Sequence, residues 1–331
     1  MPVETLLLTR QDITTLLSLE ECITGVEEIF KLYAEGKALP PKVLGIHTKK
    51  GGFHIKAGIG GLNRNYFAAK INANFQRNMA DHKLPLIQGI IAVFDDENGQ
   101  LLALMDSIEI TILRTGAATA IAAKYLARAD ANTITICGCG NQGKITVRAL
   151  VKVRHIKKVY AFDQDKSKAE KFADELTDEL NVSVTCVDDL SLALRNSKIC
   201  VTCTPSKHAF VTLNDVMAGT FIGAVGADSE EKQELEPALL SANKVVTDLT
   251  EQCGEIGELH HALKNGLMTI TDVYAELGEI ISGKKPGRTS PDEIIIFDST
   301  GTALQDVVAA AIVYEKALQK NMGTRMDFAT Q

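Results

Sequence analysis

No apolar run in this chain approaches the length needed to span a bilayer. The opening residues, Met1-Pro-Val-Glu-Thr5, carry neither a basic segment nor an apolar core. Nothing therefore suggests secretion, and a cytoplasmic protein is expected. Clusters of Lys or Arg are missing too, and the formal charge of −7 argues against a nucleic-acid surface. The seven histidines show no HExxH or comparable ligand spacing, so no metal is expected. His260-His261 reads as the surface of an amphipathic helix. Cysteines are scattered at 22, 137, 139, 186, 200, 203 and 253. Cys200-x-x-Cys203 matches a redox or zinc spacing, but it lies in the apolar run Ile199–Thr204 and no second pair complements it. It reads as buried strand cysteines. Repeats and low-complexity linkers are also lacking. What remains is ordinary globular composition, 45% hydrophobic and 23% charged, over 331 residues, enough for two domains.

The richest signal is Thr133-Ile-Thr-Ile-Cys-Gly-Cys-Gly-Asn-Gln-Gly143. A β-branched run ends in Gly138-x-Gly140-x-x-Gly143 and passes into a helical pattern, Lys144 to Val153. That order is what a dinucleotide-binding turn requires. Gly138 allows the tight turn, Gly140 lets a pyrophosphate approach, and Gly143 lets helix and strand pack closely. The phosphates then meet the free N–H groups of a helix N-terminus, around Asn141 and Gln142. A second β-run, Lys158–Phe162, ends at Asp163, where a carboxylate accepts the adenosine ribose hydroxyls. The same carboxylate repels a 2′-phosphate, and the next residue is Gln164 rather than Arg. NAD is favoured over NADP, although Lys166 and Lys168 lie nearby.

Residues 131–300 alternate short β-runs with helices, the pattern of a doubly wound parallel sheet. The runs are Thr133–Cys137, Lys158–Phe162, Val182–Val187, Lys198–Thr204, Phe221–Val225, Lys244–Asp248 and Ile294–Phe297. Residues 1–115 differ. An amphipathic helix, Ser18–Lys37, precedes the β-runs Val43–His47, Phe53–Ala57, Tyr66–Asn72, Gln88–Phe94 and Leu101–Met105. Asn98-Gly99 is a hairpin turn, so antiparallel pairing is expected. Ile110–Ala127 becomes an Ala-rich helix leading into the nucleotide half, and Ala303–Lys320 is a long amphipathic helix returning to the first half. The expected division is 1–120 plus 303–331 for substrate and dimerisation, and 121–302 for a Rossmann-type domain. The cofactor is expected at the strands' carboxyl ends.

A nicotinamide enzyme also needs groups that fix the substrate and one that moves a proton. Lys70 interrupts the run Tyr66–Asn74, Arg114 lies in an apolar junction, and Lys42 follows Pro40-Pro41. A substrate carboxylate would suit these cations. Asp228 follows the apolar strand Phe221–Ala227 and reads either as a solvated loop carboxylate or as a group beside the nicotinamide. Thr204-Pro205-Ser206 ends another strand in the same manner. Asp298-Ser-Thr-Gly301 is either a helix cap or a cofactor lining.

These segments resemble a known family. Lys70-Ile-Asn72, Leu113-Arg-Thr-Gly-Ala-Ala118, Gly138–Gln142, Thr202-Cys-Thr-Pro-Ser206, Ala224-Val-Gly-Ala-Asp228, Gln233-Glu-Leu235 and Phe297-Asp-Ser-Thr-Gly301 occur in the order of the ornithine cyclodeaminase/mu-crystallin family. The likeness spans essentially the whole chain and is nearest to the NAD-dependent alanine dehydrogenase and ketimine reductase branch. It implies a homodimer. It implies that Lys70, Arg114 and Lys42 hold the substrate carboxylate, and that Lys70 and Asp228 act in catalysis. It also implies cofactor contacts from Arg114, Thr115, Thr202, Thr204 and Pro205. Further contacts would come from Val225, Gly226, Ala227, Asp228, Ser299 and Gly301.

The sequence departs from the family at one place. Where a cyclodeaminase carries an acidic residue for the substrate's side-chain amine, Gly52-Phe-His-Ile-Lys56 offers His54 and Lys56. These either read a different side chain or form the solvated face of a strand. The expected reaction is NAD(H)-dependent redox chemistry at the Cα–N bond of a short neutral amino acid or its imine. Cyclodeamination of ornithine and a non-catalytic NAD(P)H-binding role are the alternatives.

Overall fold

The computed structural model describes residues 4–328. They form two compact units, one up to Arg114 and again from Thr302, the other Thr115–Gly301.

The first unit is a seven-stranded sheet in the order Thr324–Asp327, Glu4–Leu8, Leu101–Asp106, Ile87–Asp95, Tyr66–Asn74, Gly52–Gly60, Lys42–His47. The five strands from Lys42 to Asp106 form an antiparallel meander, as their alternation and the turn at Gly99 (φ 74°) require. The expected runs pair antiparallel, and two further strands extend the sheet. Glu4–Leu8 runs parallel to Leu101–Asp106, and Thr324–Asp327 closes the edge antiparallel to it. Neither strand was expected, because each is a short terminal run whose partner lies far away in sequence.

One face of this sheet is covered by helix Ala303–Lys320, which packs against helix Leu19–Ala34. The second helix starts with Ser18 and Glu21 capping each other's backbone N–H groups. The two helices approach closely at Gly25, where a Cβ would lie 2.8 Å from Ile312 Cδ1. Lys316 Nζ is 2.7 Å from Glu21 Oε1, and that bond chiefly draws the Glu21 carboxyl down to about 2.

The second unit is an eight-stranded sheet, parallel throughout. Its order is Ala275–Glu276, Lys244–Thr247, Ile295–Asp298, Phe221–Ala224, Ile199–Thr202, Thr133–Cys137, Lys158–Phe162, Ser183–Cys186. The chain enters at Thr133–Cys137, winds outward one way, and returns to the other side at Ile199–Thr202. That reversal is the switch point where doubly wound sheets bind ligands. Strands buried on both faces read as continuous apolar runs, which is why they were legible. The run expected to reach Thr204 stops at Thr202, since Thr204 turns aside to a buried carboxylate. The edge strand Ala275–Glu276 and a small parallel pair, Lys207–Val211 with Gln233–Leu235, were not expected. Among the described residues no helix is long and apolar enough to cross a membrane.

Candidate active site

In the second unit the glycines act through their missing side chains. Gly138 takes φ 105°, and a Cβ there would lie 2.9 Å from the Cys203 carbonyl oxygen. A Cβ on Gly143 would lie 2.2 Å from the oxygen of Gly138. Around Gly140 a Cβ would meet nothing within 4 Å, so the backbone is open to a ligand. Gly140 caps helix Asn141–Val153 without a side chain, and the first turn holds no acid. The helix therefore presents free N–H groups and its positive end to an anion. Asp163 follows strand Lys158–Phe162, and its Oδ2 accepts the Cys139 N–H at 2.9 Å. Lys166 and Lys168 pair with Asp188 and Asp165.

The other loops at the strands' carboxyl ends are tied together by buried carboxylates. Glu234 accepts the Thr204 N–H at 2.6 Å and the Gly226 N–H at 2.9 Å. Glu258 accepts the Glu234 N–H at 2.7 Å, and Asp298 accepts the Leu259 N–H at 2.9 Å. Asp248 accepts the Gly301 N–H at 2.6 Å and the Thr300 hydroxyl at 3.1 Å. Burial raises the Glu234 and Glu258 carboxyls, and it lifts Asp298 to about 7. The segments holding Thr204, Pro205, Val225, Gly226, Ala227, Ser299 and Gly301 are thus fixed by acids whose part was not foreseen from sequence. Buried Asp298 serves this lattice by accepting N–H groups from helix Glu258–Lys264. Thr202 ends its strand fully buried, and Thr115 begins this unit, also buried.

Asp228 lies on the loop after Phe221–Ala224, exposed, with Lys232 Nζ 2.5 Å from Oδ1. His260 and His261, expected at the surface, are half-buried, and His261 Nε2 lies 2.7 Å from the Lys232 carbonyl oxygen. The reason is that their helix packs its Glu258 side under the sheet's loops. Cys200 is buried in its strand as expected, and all seven cysteines are thiols. Among the described residues no group of three or more His, Cys, Asp or Glu is arranged to hold a metal ion.

In the first unit Lys70 and Arg114 come together around a residue not foreseen from sequence, Asp306. Lys70 Nζ donates to Asp306 Oδ1 at 2.8 Å, and Arg114 Nε lies 3.4 Å from the same oxygen. Arg114 also donates to Gln305 Oε1 at 2.9 Å. Burial pulls the Lys70 ammonium down to about 7; Asp306 opposes the fall, while Arg114 and Lys56 add to it. Burial pushes Asp306 upward, but Lys70 and Arg114 outweigh it and hold the carboxyl below its ordinary value. Lys70 Nζ also lies 2.8 Å from Asp306 Oδ2, so both carboxylate oxygens face a cation. The buried Gln305 Nε2 makes no hydrogen bond and is available to a polar ligand. The clue to Asp306 was its setting, an acid in the apolar stretch Ala303-Leu-Gln-Asp-Val-Val-Ala.

Register sorts the remaining candidates. Lys56 is the cross-strand partner of Lys70 and is 8% exposed, so it is not on a solvated strand face. His54, two residues away, shares that face and is half-buried. Lys42 pairs with Ala57 and lies on the opposite face, exposed, so the structure does not bring it to Lys70 within this chain.

The model of the ornithine cyclodeaminase/mu-crystallin family matches residues 3–321. The chain belongs to this family. Three solved structures of the family's fold resemble it over nearly their whole length. An archaeal alanine dehydrogenase dimer with bound NAD has a TM-score of 0.93 at 39% identity, covering 98% of this chain and 99% of that one. Thermococcus litoralis Δ1-pyrroline-2-carboxylate reductase with NADH and L-proline has a TM-score of 0.91 at 32% identity, covering 97% and 100%. Paracoccus denitrificans iminosuccinate reductase with NAD+ has a TM-score of 0.88 at 29% identity, covering 98% and 100%.

Proposed function

We propose that this member of the ornithine cyclodeaminase/mu-crystallin family is an NAD(H)-dependent oxidoreductase. It acts on the Cα–N bond of a small L-amino acid or its imine. The observation that carries this reading is the buried pair Lys70 and Arg114 sharing one carboxylate, on a chain that also bears an NAD-type turn. The bare Gly140, the uncapped helix end and Asp163 fit NAD. The buried Gln142 Oε1, which makes no hydrogen bond, fits a polar ligand at the same turn. Asp163 and the paired Lys166 and Lys168 disfavour a 2′-phosphate.

Bound NAD would supply the hydride acceptor for Cα, and the balanced change is amino acid, NAD+ and water to 2-oxo acid, ammonium, NADH and a proton. Arg114 grips the substrate carboxylate with its planar fork, and Lys70 adds a second donor. A Lys held near 7 also exchanges a proton at working pH, which suits Lys70 to acid–base duty. Asp228 takes the proton from the substrate nitrogen or from the attacking water. The loops around Thr204, Gly226 and Gly301, clamped by Glu234 and Asp248, would hold the cofactor.

The enzyme works as a homodimer in the cytoplasm. The sheet face opposite Lys70 is exposed and apolar, with Leu44 at 54%, Ile46 at 50%, Ile90 at 45% and Ile71 at 40% exposure. A face of that kind calls for a partner, and Lys42 lies on it. Free thiols suit a reducing compartment.

The test is the absorbance of NADH over a panel of L-amino acids with NAD. Net NADH formation supports the reading, and Asp228→Asn should abolish it while NADH still binds. Efficient conversion of ornithine to proline without net NADH would overturn it.

A further inference from the structure

We propose that Gln305 binds the substrate, its side-chain amide donating to the same carboxylate that Arg114 grips. This inference rests on the reading above and adds to its site a donor that carries no charge.

Gln305 stands in the first turn of helix Ala303–Lys320 and is fully buried. Its Oε1 accepts an N–H from Arg114 Nη1 at 2.9 Å. A guanidinium has only donors, so this bond fixes how the amide is turned, with its oxygen toward Arg114 and its NH2 group away. The Nε2 so directed makes no hydrogen bond. A buried donor left in that state carries its full desolvation cost. An acceptor brought by a ligand removes it.

The surroundings define the chemistry of that acceptor. Thr302 is the cap of the same helix, and a cap residue and the third helical residue, here Gln305, face each other across the first turn. The Thr302 side chain makes no capping bond, and its Oγ1 is also buried without a partner. Two unpartnered polar side chains thus meet at the positive end of an 18-residue helix, beside a guanidinium. The acid of that turn, Asp306, does not answer them, because both its oxygens face Lys70 and one also faces Arg114. A ligand with negative charge and two acceptor oxygens completes the group. The carboxylate shared by amino acids, imino acids and 2-oxo acids is such a ligand, one oxygen taking the guanidinium and the other the amide. Gln305 stays a donor throughout the working pH range, whereas Lys70 gives up its proton at about 7.

The test compares Gln305→Glu and Gln305→Leu with the wild type, using whichever amino acid of the panel is turned over. The glutamate keeps an oxygen for Arg114 but has no N–H to offer and sets a negative charge against the ligand. KM for the amino acid should rise roughly ten- to a hundredfold in both variants, the range of a hydrogen bond to a charged group. The fall in kcat should be smaller, and NADH titration should show cofactor affinity retained in a folded protein. If Gln305 only props Arg114, the glutamate restores KM and the leucine alone fails. Wild-type KM in either variant, or a loss that falls equally on NADH, overturns this inference and leaves the dehydrogenase reading standing. A wild type that binds NADH but turns over no amino acid overturns the reading beneath it.

Discussion

Replacing Asp306 by asparagine removes one negative charge and almost no volume. The carboxylate is 1% exposed and sits 2.8 Å from Lys70 Nζ and 3.4 Å from Arg114 Nε. Removing one member of a buried ion pair costs about 3–5 kcal/mol, because the partner charge stays buried. Lys70 limits the loss. Its ammonium already titrates at about 7 with Asp306 present, and without that anion it sheds its proton more readily. Arg114 has no such escape. The lower end, about 3 kcal/mol, is therefore expected, a fall in Tm on the order of 10 °C. The pH dependence has a definite sign. The unfolded chain holds the Lys70 proton up to about 10.5, the folded one only to about 7, so stability drops as the pH falls through that window. In Asp306→Asn the window extends below 7, and the deficit relative to wild type is larger at low pH than at high pH. Scanning calorimetry at several pH values measures it. Acetate, which replaces the missing carboxylate, should raise the Tm of the variant more than that of the wild type. A variant within about 2 °C of wild type, or equal acetate shifts in both proteins, would refute the argument that Asp306 is the counter-ion of this group.

The titration of Lys70 should also appear in ligand binding: affinity for a carboxylate such as pyruvate should fall as the pH rises through about 7, and a flat profile would show that Lys70 does not contact it. The glycine turn has its own test in Gly143→Ala, whose Cβ would lie 2.2 Å from a backbone oxygen. NADH affinity should drop by more than about tenfold, read from the cofactor's own emission since the chain has no tryptophan, and unchanged binding would place the cofactor elsewhere.

The sequence alone determined what depends on neighbours along the chain. The strand Thr133–Cys137, the turn to Gly143 and the acid at 163 are local, because period, β-branching and glycine spacing act within one segment. The helix Ala303–Lys320 was legible to the residue for the same reason. Lys70 and Arg114 were legible as charges set in apolar stretches. The fold had to close before the rest could be decided. Only register across the sheet puts Lys56 opposite Lys70 and turns Lys42 to the other face. Only the return of the last helix brings Asp306 to Arg114, a residue far from it in sequence. Glu234, Glu258 and Asp248 could not be told from surface acids until burial left their oxygens facing backbone N–H groups, and Asp298, read as a cap or a cofactor lining, accepts N–H groups of a helix far from it in sequence. Sequence periodicity reports which side of a segment is apolar. It carries no information on which distant segment arrives there, and that arrival is what assembles charges into a site.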